Sequence, residues 1–143
     1  MNKEDINALD EIHKGACMGK DAIHFVREKV EDKKLKDVLD AQYEQYQTIA
    51  KKIDNIYPKY DGDKPHETST MNKAMTWYGI EMKTLMDKSN SKIAELLLQG
   101  VNMGIIEGKK ILNQKNLNKE VYDIISEYVS MQEKSVEILK EYL

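Results

Sequence analysis

Residues able to bind a metal or move a proton are few in this 143-residue chain, and their spacing decides what they could do. His13 and Cys17 stand four residues apart and His24 follows, with Asp10, Asp21 and Glu28 nearby in the sequence. Side chains four apart share a helix face, so an imidazole and a thiolate on this flank could hold a soft ion such as zinc or copper. The plainer reading is a solvated polar edge with Cys17 as a small filler beside the core. Glu107 falls among apolar residues at helical spacing, where a lone core carboxylate needs a cation, and Lys20 or Arg27 would supply a salt bridge. Gln42, Gln132 and Ser135 also fall within apolar stripes and predict a buried polar layer that fixes helix register. Met71, Met75, Met82 and Met86 form two MxxxM pairs, a spacing that suits thioether ligation of Cu(I). More commonly, methionines on one face fill an irregular groove, and with Trp77 they mark a predicted interface. The sequence contains no Gly-rich phosphate loop, nucleophile elbow or zinc-finger spacing.

The surrounding composition narrows the partners. The 22 basic and 25 acidic residues are mixed along every segment for a net charge of −3, which leaves no basic face for nucleic acid or anionic lipid. A single cysteine excludes an intrachain disulfide and a cysteine-only metal cluster. There is no apolar run long enough for a membrane span, and the opening MNKEDINALDEI lacks the apolar core of a signal peptide. A cytoplasmic protein without membrane insertion is expected. With two prolines, seven glycines and an excess of good helix formers, the chain reads as all-α. Its length suits one domain, residues 1–143, with a core that needs no staple.

Apolar periodicity then places the helices that must position these residues. Leu9, Ile12, Ala16, Gly19, Ile23, Val26 and Val30 predict a first helix over 6–30. Leu35, Val38, Leu39, Gln42, Tyr46, Ile49, Ile53 and Ile56 predict a second, ended by Tyr57-Pro58. Residues 59–69 read as a loop. Met71, Met75, Tyr78, Met82, Leu85 and Met86 predict a crossover helix, and the polar stretch 87–91 predicts a break recapped by Ser89 or Asn90, although one long helix over 70–113 would keep nearly the same phase. Ile93, Leu96, Leu97, Gly100, Gly104, Glu107 and Ile111 make the third main helix; Val121, Ile124, Ile125, Tyr128, Gln132, Ser135, Leu139 and Leu143 make the fourth. Tight turns within each pair and a long connection between them predict two antiparallel hairpins joined by a crossover at 58–89.

The two halves also share a pattern. Gly15-Ala16-Cys17-Met18-Gly19 matches Gly100-Val101-Asn102-Met103-Gly104, and Leu35, Val38, Leu39, Gln42 align with Ile125, Tyr128, Val129, Gln132. On this connectivity and repeat the chain resembles the ferritin-like superfamily, in particular small bacterial bundles related to rubrerythrin, over nearly its whole length outside the crossover.

The resemblance implies a ferritin-like antiparallel four-helix bundle with an extra helix in the crossover. It also implies where a pair of iron or manganese ions would sit, on an inward Glu from the first and third helices and Glu-x-x-His from the second and fourth. Those positions fall here near Ala16 and Gly100, on Gln42 and Gln45, and on Gln132 and Ser135. Neutral amides in place of carboxylates would leave two cations uncompensated, so no cofactor is expected. Glu44 and Glu133 lie off their stripes and should face water, while the small residues of the shared pattern should let helices approach closely and close the space. The expected protein is a non-enzymatic bundle acting by association, as a homo-oligomer such as a dimer through the crossover, in a structural, stress-related or spore-related role. The alternative is a metal or redox protein with a rearranged site at His13, Cys17, His24 or Glu107.

Overall fold

The computed structural model describes residues 3–62, 64–65, 73–114 and 116–143, and for residues 73–77 the backbone alone. Among the described residues there are five α-helices that pack together and no strand: α1 (Lys3–Arg27), α2 (Lys33–Ile56), α3 (Lys73–Lys83), α4 (Asn90–Leu112) and α5 (Lys119–Lys140). A 3-10 turn, Tyr57–Lys59, follows α2.

Local chemistry sets the boundaries. α1 stops at Arg27, one turn short of the expected Val30, and the chain turns back through N–H groups of Lys29 and Val30 bonded to the carbonyls of Val26 and Arg27. Val30 is buried nonetheless, because the turn folds it under the helix end. Asp32 caps α2 by accepting the Leu35 N–H at 3.1 Å. At the other end Pro58, which lacks an N–H, hands the helix over to the 3-10 turn. The break between α3 and α4 falls at 84–89, and Ser89 caps α4 by accepting the Lys92 N–H. Leu143, expected to face inward, lies beyond the end of α5 and is exposed.

Two hydrogen bonds fix the helix directions. The Asn118 N–H at the start of α5 donates to Asp5 at the start of α1, at 2.8 Å. The Asn90 side chain at the start of α4 donates to Asp32 at the start of α2, at 3.1 Å. Hence α1 and α5 begin at one end of the molecule and α2 and α4 at the other. α1 packs chiefly along α2 and α4 along α5; the pairs join through α1 on α4 and α2 on α5, and α3 leans on α1 and α4.

One apolar core runs through this assembly. Leu9, Ile12, Ile23, Leu35, Leu39, Ile49, Ile53, Ile93 and Leu96 are among its fully buried side chains, each contributing roughly 1.5–3 kcal/mol of apolar burial. Apart from the buried Asp5 and Asp10, the charges lie mostly outside, in cross-helix pairs such as Lys52 with Glu127 at 2.7 Å and Arg27 with Asp40 at 2.5 Å. Being exposed, such pairs stabilise little. No helix among the described residues is long and apolar enough to cross a membrane.

Candidate functional site

Midway along the helices the core becomes polar without becoming charged. Gln132 of α5 is 1% exposed, and both ends of its amide are engaged. The Tyr46 hydroxyl from α2 donates to Gln132 Oε1 at 2.7 Å, and Gln132 Nε2 donates to the Tyr128 hydroxyl one turn earlier at 3.1 Å. The Tyr46 and Tyr128 rings stand 6.4 Å apart, tilted by 55°. Burial pushes the Tyr46 and Tyr78 hydroxyls well above the ordinary tyrosine value and pushes Tyr128 up to about 12. All three therefore remain neutral near pH 7.

The glycines of the shared GxxMG pattern make room for these rings. A β-carbon on Gly19 would lie 2.5–2.7 Å from three atoms of the Tyr46 ring, and one on Gly100 would lie 2.5 Å from the Tyr78 oxygen. Tyr128 uses two recesses at once: its hydroxyl is 2.8 Å from the β-carbon position of both Gly15 and Gly104. The small residues were expected to bring helix backbones together and close the space. Instead they admit tyrosine side chains from α2, α3 and α5. Close helix packing at a glycine occurs one turn further on, where Gly108 faces Val129 across α4 and α5.

Beside this layer the space stays open. A cavity of about 330 Å³ is lined by Gln42, Tyr46, Tyr78, Tyr128, Gln132, Met18 and Met103, together with apolar residues of α1 and α4. Its exposed lining residues, Glu11, Ile106 and Glu107, belong to α1 and α4, so it opens between those helices. Among the described residues no ionisable carboxylate, imidazole or amine stands in the interior wall; Glu11, Lys14 and Glu107 are at the rim. Gln42, on α2, differs from Gln132 in one respect. It is 5% exposed, and its Nε2 is buried with no hydrogen-bond partner among the described residues.

No family model, curated protein or solved structure matches this chain.

The donor set does not fit the pair of metal ions that the ferritin-like resemblance would place here. Gln42 and Gln132 face inward as expected, but the Gln132 carbonyl already accepts from Tyr46, and Ser135 turns its hydroxyl onto the Met131 carbonyl of its own helix at 3.1 Å. Gln42, Gln132 and Ser135 are all buried, as expected, but the hydrogen bonds of the layer join Gln132 to two tyrosines and not to the other two residues. Gln45 is exposed, because Tyr46 takes the inward position next to it. Ala16 is buried and Gly100 lines the cavity, and neither offers a ligand atom. Glu44 and Glu133 face water, as expected.

The other predicted site residues are dispersed. His13 Nε2 pairs with Asp54 Oδ1 of α2 at 3.0 Å, and Cys17 Sγ lies 3.9 Å from His13 Nδ1. Burial raises the Cys17 thiol above its ordinary value, which favours the protonated form over the thiolate a metal needs. His24 is exposed and meets only the edge of Phe25 among rings, with centroids 6.5 Å apart. Asp10 is buried rather than part of a solvated edge, accepting the Tyr57 hydroxyl at 2.7 Å. Among the described residues no three or more of His, Cys, Asp and Glu converge as a metal shell. Glu107, expected in the core against Lys20 or Arg27, is exposed and stands 3.9 Å from Lys110, while Arg27 pairs with Asp40. Of the interface residues, Met82 is buried in the core and Met86 is 89% exposed; Met71 and the side chains of Met75 and Trp77 lie outside the described residues.

The functional residues that sequence reasoning missed are Tyr46, Tyr78 and Tyr128, which read there as ordinary apolar positions. Their signal was slight: the four glycines of the GxxMG pairs mark close approaches without saying what fills them.

Proposed function

We propose that this chain is a ferritin-like four-helix bundle, with α3 as an extra crossover helix, that works without enzymatic chemistry by holding a small uncharged molecule at its centre. The observation that carries the reading is the 330 Å³ cavity walled by apolar side chains and neutral tyrosine and glutamine groups. Small-molecule sites typically combine an apolar wall with a few placed polar groups, in volumes from about 300 Å³ upward. The volume is also about twice the ~150 Å³ of an apolar cavity that takes up benzene. The helix directions and the long connection through α3 support the bundle topology. Both GxxMG segments border the cavity, which supports a repeated hairpin as its origin.

A charged ligand is disfavoured, since no opposite charge in the interior would offset its desolvation. Proton transfer is disfavoured too: tyrosines held neutral far above pH 7 are poor general acids and worse bases. No observation favours a metal or redox site at His13 and Cys17, whose nearest partners are Asp54 and each other.

The reading is tested by thermal unfolding in the presence of small apolar probes such as benzene and ethylbenzene. A ligand that binds only the folded state raises the melting temperature with concentration. Ala22→Leu, which adds three carbons to the cavity wall, should reduce that shift. Equal melting curves with and without every probe, in both proteins, would remove the proposal.

A further inference from the structure

The three tyrosine hydroxyls of the central layer do not use their hydrogens alike. The two bonds of the Gln132 amide differ in length in a way that fixes their direction: 2.7 Å suits the Tyr46 O–H donating to Oε1, and 3.1 Å suits an N–H of Nε2 donating to the Tyr128 oxygen. Tyr46 has therefore committed its hydrogen, while Tyr128 accepts a bond and keeps its own. Tyr78, brought in by α3, has no hydrogen-bond partner among the described residues, and burial is the one cause of the rise in its titration point. Its oxygen stands at the Gly100 recess of α4, and both residues wall the cavity. The Tyr128 oxygen is more crowded, since it carries Gln132 Nε2 and lies against both Gly15 and Gly104. Gln42 Nε2, another donor without a partner among the described residues, is closed off from the cavity. A buried hydroxyl whose hydrogen meets no acceptor is unfavourable, and such groups are uncommon in folded proteins.

We propose that the cavity ligand is a neutral, mainly apolar molecule with a carbonyl oxygen, which accepts the hydroxyl hydrogen of Tyr78. This rests on the reading of the cavity as a ligand site. A carbonyl suits the position because it accepts without bringing a further hydrogen into a layer that already has more of them than it uses. Tyr78 is also the donor with the least to lose: turning its hydrogen toward a ligand breaks no bond to another described residue, whereas the Tyr46 hydrogen would have to leave Gln132. The apolar remainder of the ligand lies along Leu97 and Val101, which flank Gly100 on α4, and along Ile12 and Ile23 of α1. Since Tyr78 comes from α3, the bound carbonyl ties the crossover helix to the cavity formed by the main helices.

Acetophenone and ethylbenzene have nearly the same shape and differ by the ketone oxygen. Calorimetric titration of the full chain with each gives a ratio of dissociation constants. The unmodified protein should bind acetophenone at least as tightly as ethylbenzene, although a ketone costs more to remove from water. In Tyr78→Phe, which keeps the ring and removes the hydroxyl, the ratio should move by about 5-fold or more toward the hydrocarbon. Without ligand the same variant should unfold at the urea concentration of the unmodified protein or higher, because no described residue loses a bond. Tyr128→Phe removes the neighbouring hydroxyl and should leave the ratio within about 2-fold. A ratio that stays unchanged in Tyr78→Phe, or that moves in Tyr128→Phe instead, would overturn the role of Tyr78 while leaving the cavity as a ligand site. Tighter binding of the hydrocarbon by the unmodified protein would do the same. So would a marked loss of stability in ligand-free Tyr78→Phe, which would mean that the hydroxyl is already bonded within the chain. Binding of neither probe would overturn both.

Discussion

Gly19→Ala is the sharpest test of how the centre of the molecule is built, because helix propensity and packing pull it in opposite directions. In an open helical position, replacing glycine by alanine stabilises by about 0.5–1 kcal/mol, since the unfolded chain loses freedom. At Gly19 the new β-carbon would fall 2.5–2.7 Å from Cζ, Cε1 and Cε2 of Tyr46, a ring that is itself 5% exposed and has little room to retreat. Overpacking of this kind costs about 1–3 kcal/mol. Swinging the ring away also pulls its hydroxyl off Gln132, now 2.7 Å distant, which costs about 1 kcal/mol more. Set against the propensity gain, the expected net destabilisation is about 2 kcal/mol. Gly79→Ala serves as the control: it lies in α3 with nothing among the described residues within 4 Å of its β-carbon position, so it should stabilise by about 0.5–1 kcal/mol. Equilibrium urea unfolding measures both. Tyr46→Leu should relieve the clash, so the double variant should show a coupling of at least about 1 kcal/mol relative to the two single changes. If Gly19→Ala stabilises the protein as Gly79→Ala does, the ring does not fill that recess and the account of the layer is wrong.

Tyr46→Phe should cost about 1–3 kcal/mol in the same assay, since Gln132 Oε1 then loses its donor inside the core. The buried tyrosines also predict alkaline sensitivity: their folded values lie above the ordinary 10.0, so their contribution is intact below pH 10 and is lost as the pH rises through 10 toward those values, with tyrosinate absorbance appearing as the protein unfolds. At the acid end, hydrogen bonds from Tyr60 to Glu120 and from the Leu35 N–H to Asp32 hold these carboxyls below their ordinary values, so this stabilisation is present above the usual carboxylate range and fades as pH falls through it; Asp32→Asn should flatten the acid limb of a stability profile. Elemental analysis of untagged protein supplied with iron, manganese, zinc and copper should find no stoichiometric metal, and about two iron or manganese ions per chain would reinstate the centre that the glutamines argue against. Self-association through the crossover now rests on Ile80 and Met86, which are exposed, and sedimentation velocity over a wide concentration range should register a dimer that Met86→Lys weakens.

The helices were legible because periodicity and caps agree along most of the chain. The break before α4, for example, needs only a polar stretch and Ser89 ready to cap. The burial of Gln42 and Gln132 was equally readable, as their positions lie squarely within apolar stripes. Glu107 misled for a physical reason: the inward face of α4 runs through Gly108 and Ile111, and a glycine carries no apolar signal to mark it. Gln45 lost its expected place in the same way, to a tyrosine one residue along. The cavity was not legible at all. A glycine in a helix implies that something lies close, but it does not distinguish another backbone from an aromatic ring, and an opening beside the ring leaves no letter in the sequence.

The position of Tyr128 carries a consequence for how such a chain can change through descent. Its hydroxyl lies 2.8 Å from the β-carbon positions of both Gly15 and Gly104, so one side chain on α5 limits the residue size permitted on α1 and on α4. Among natural relatives, alanine or serine at 15 or 104 should occur only where residue 128 is smaller than tyrosine. Once residue 128 has shrunk, Gly15 is released, whereas Gly104 stays limited by Gln132 Nε2, 2.5 Å from its β-carbon position. Residue 15 should therefore covary with 128, and residue 104 with 128 and 132 together, and an alignment deep enough to count them would expose these contacts without any structure.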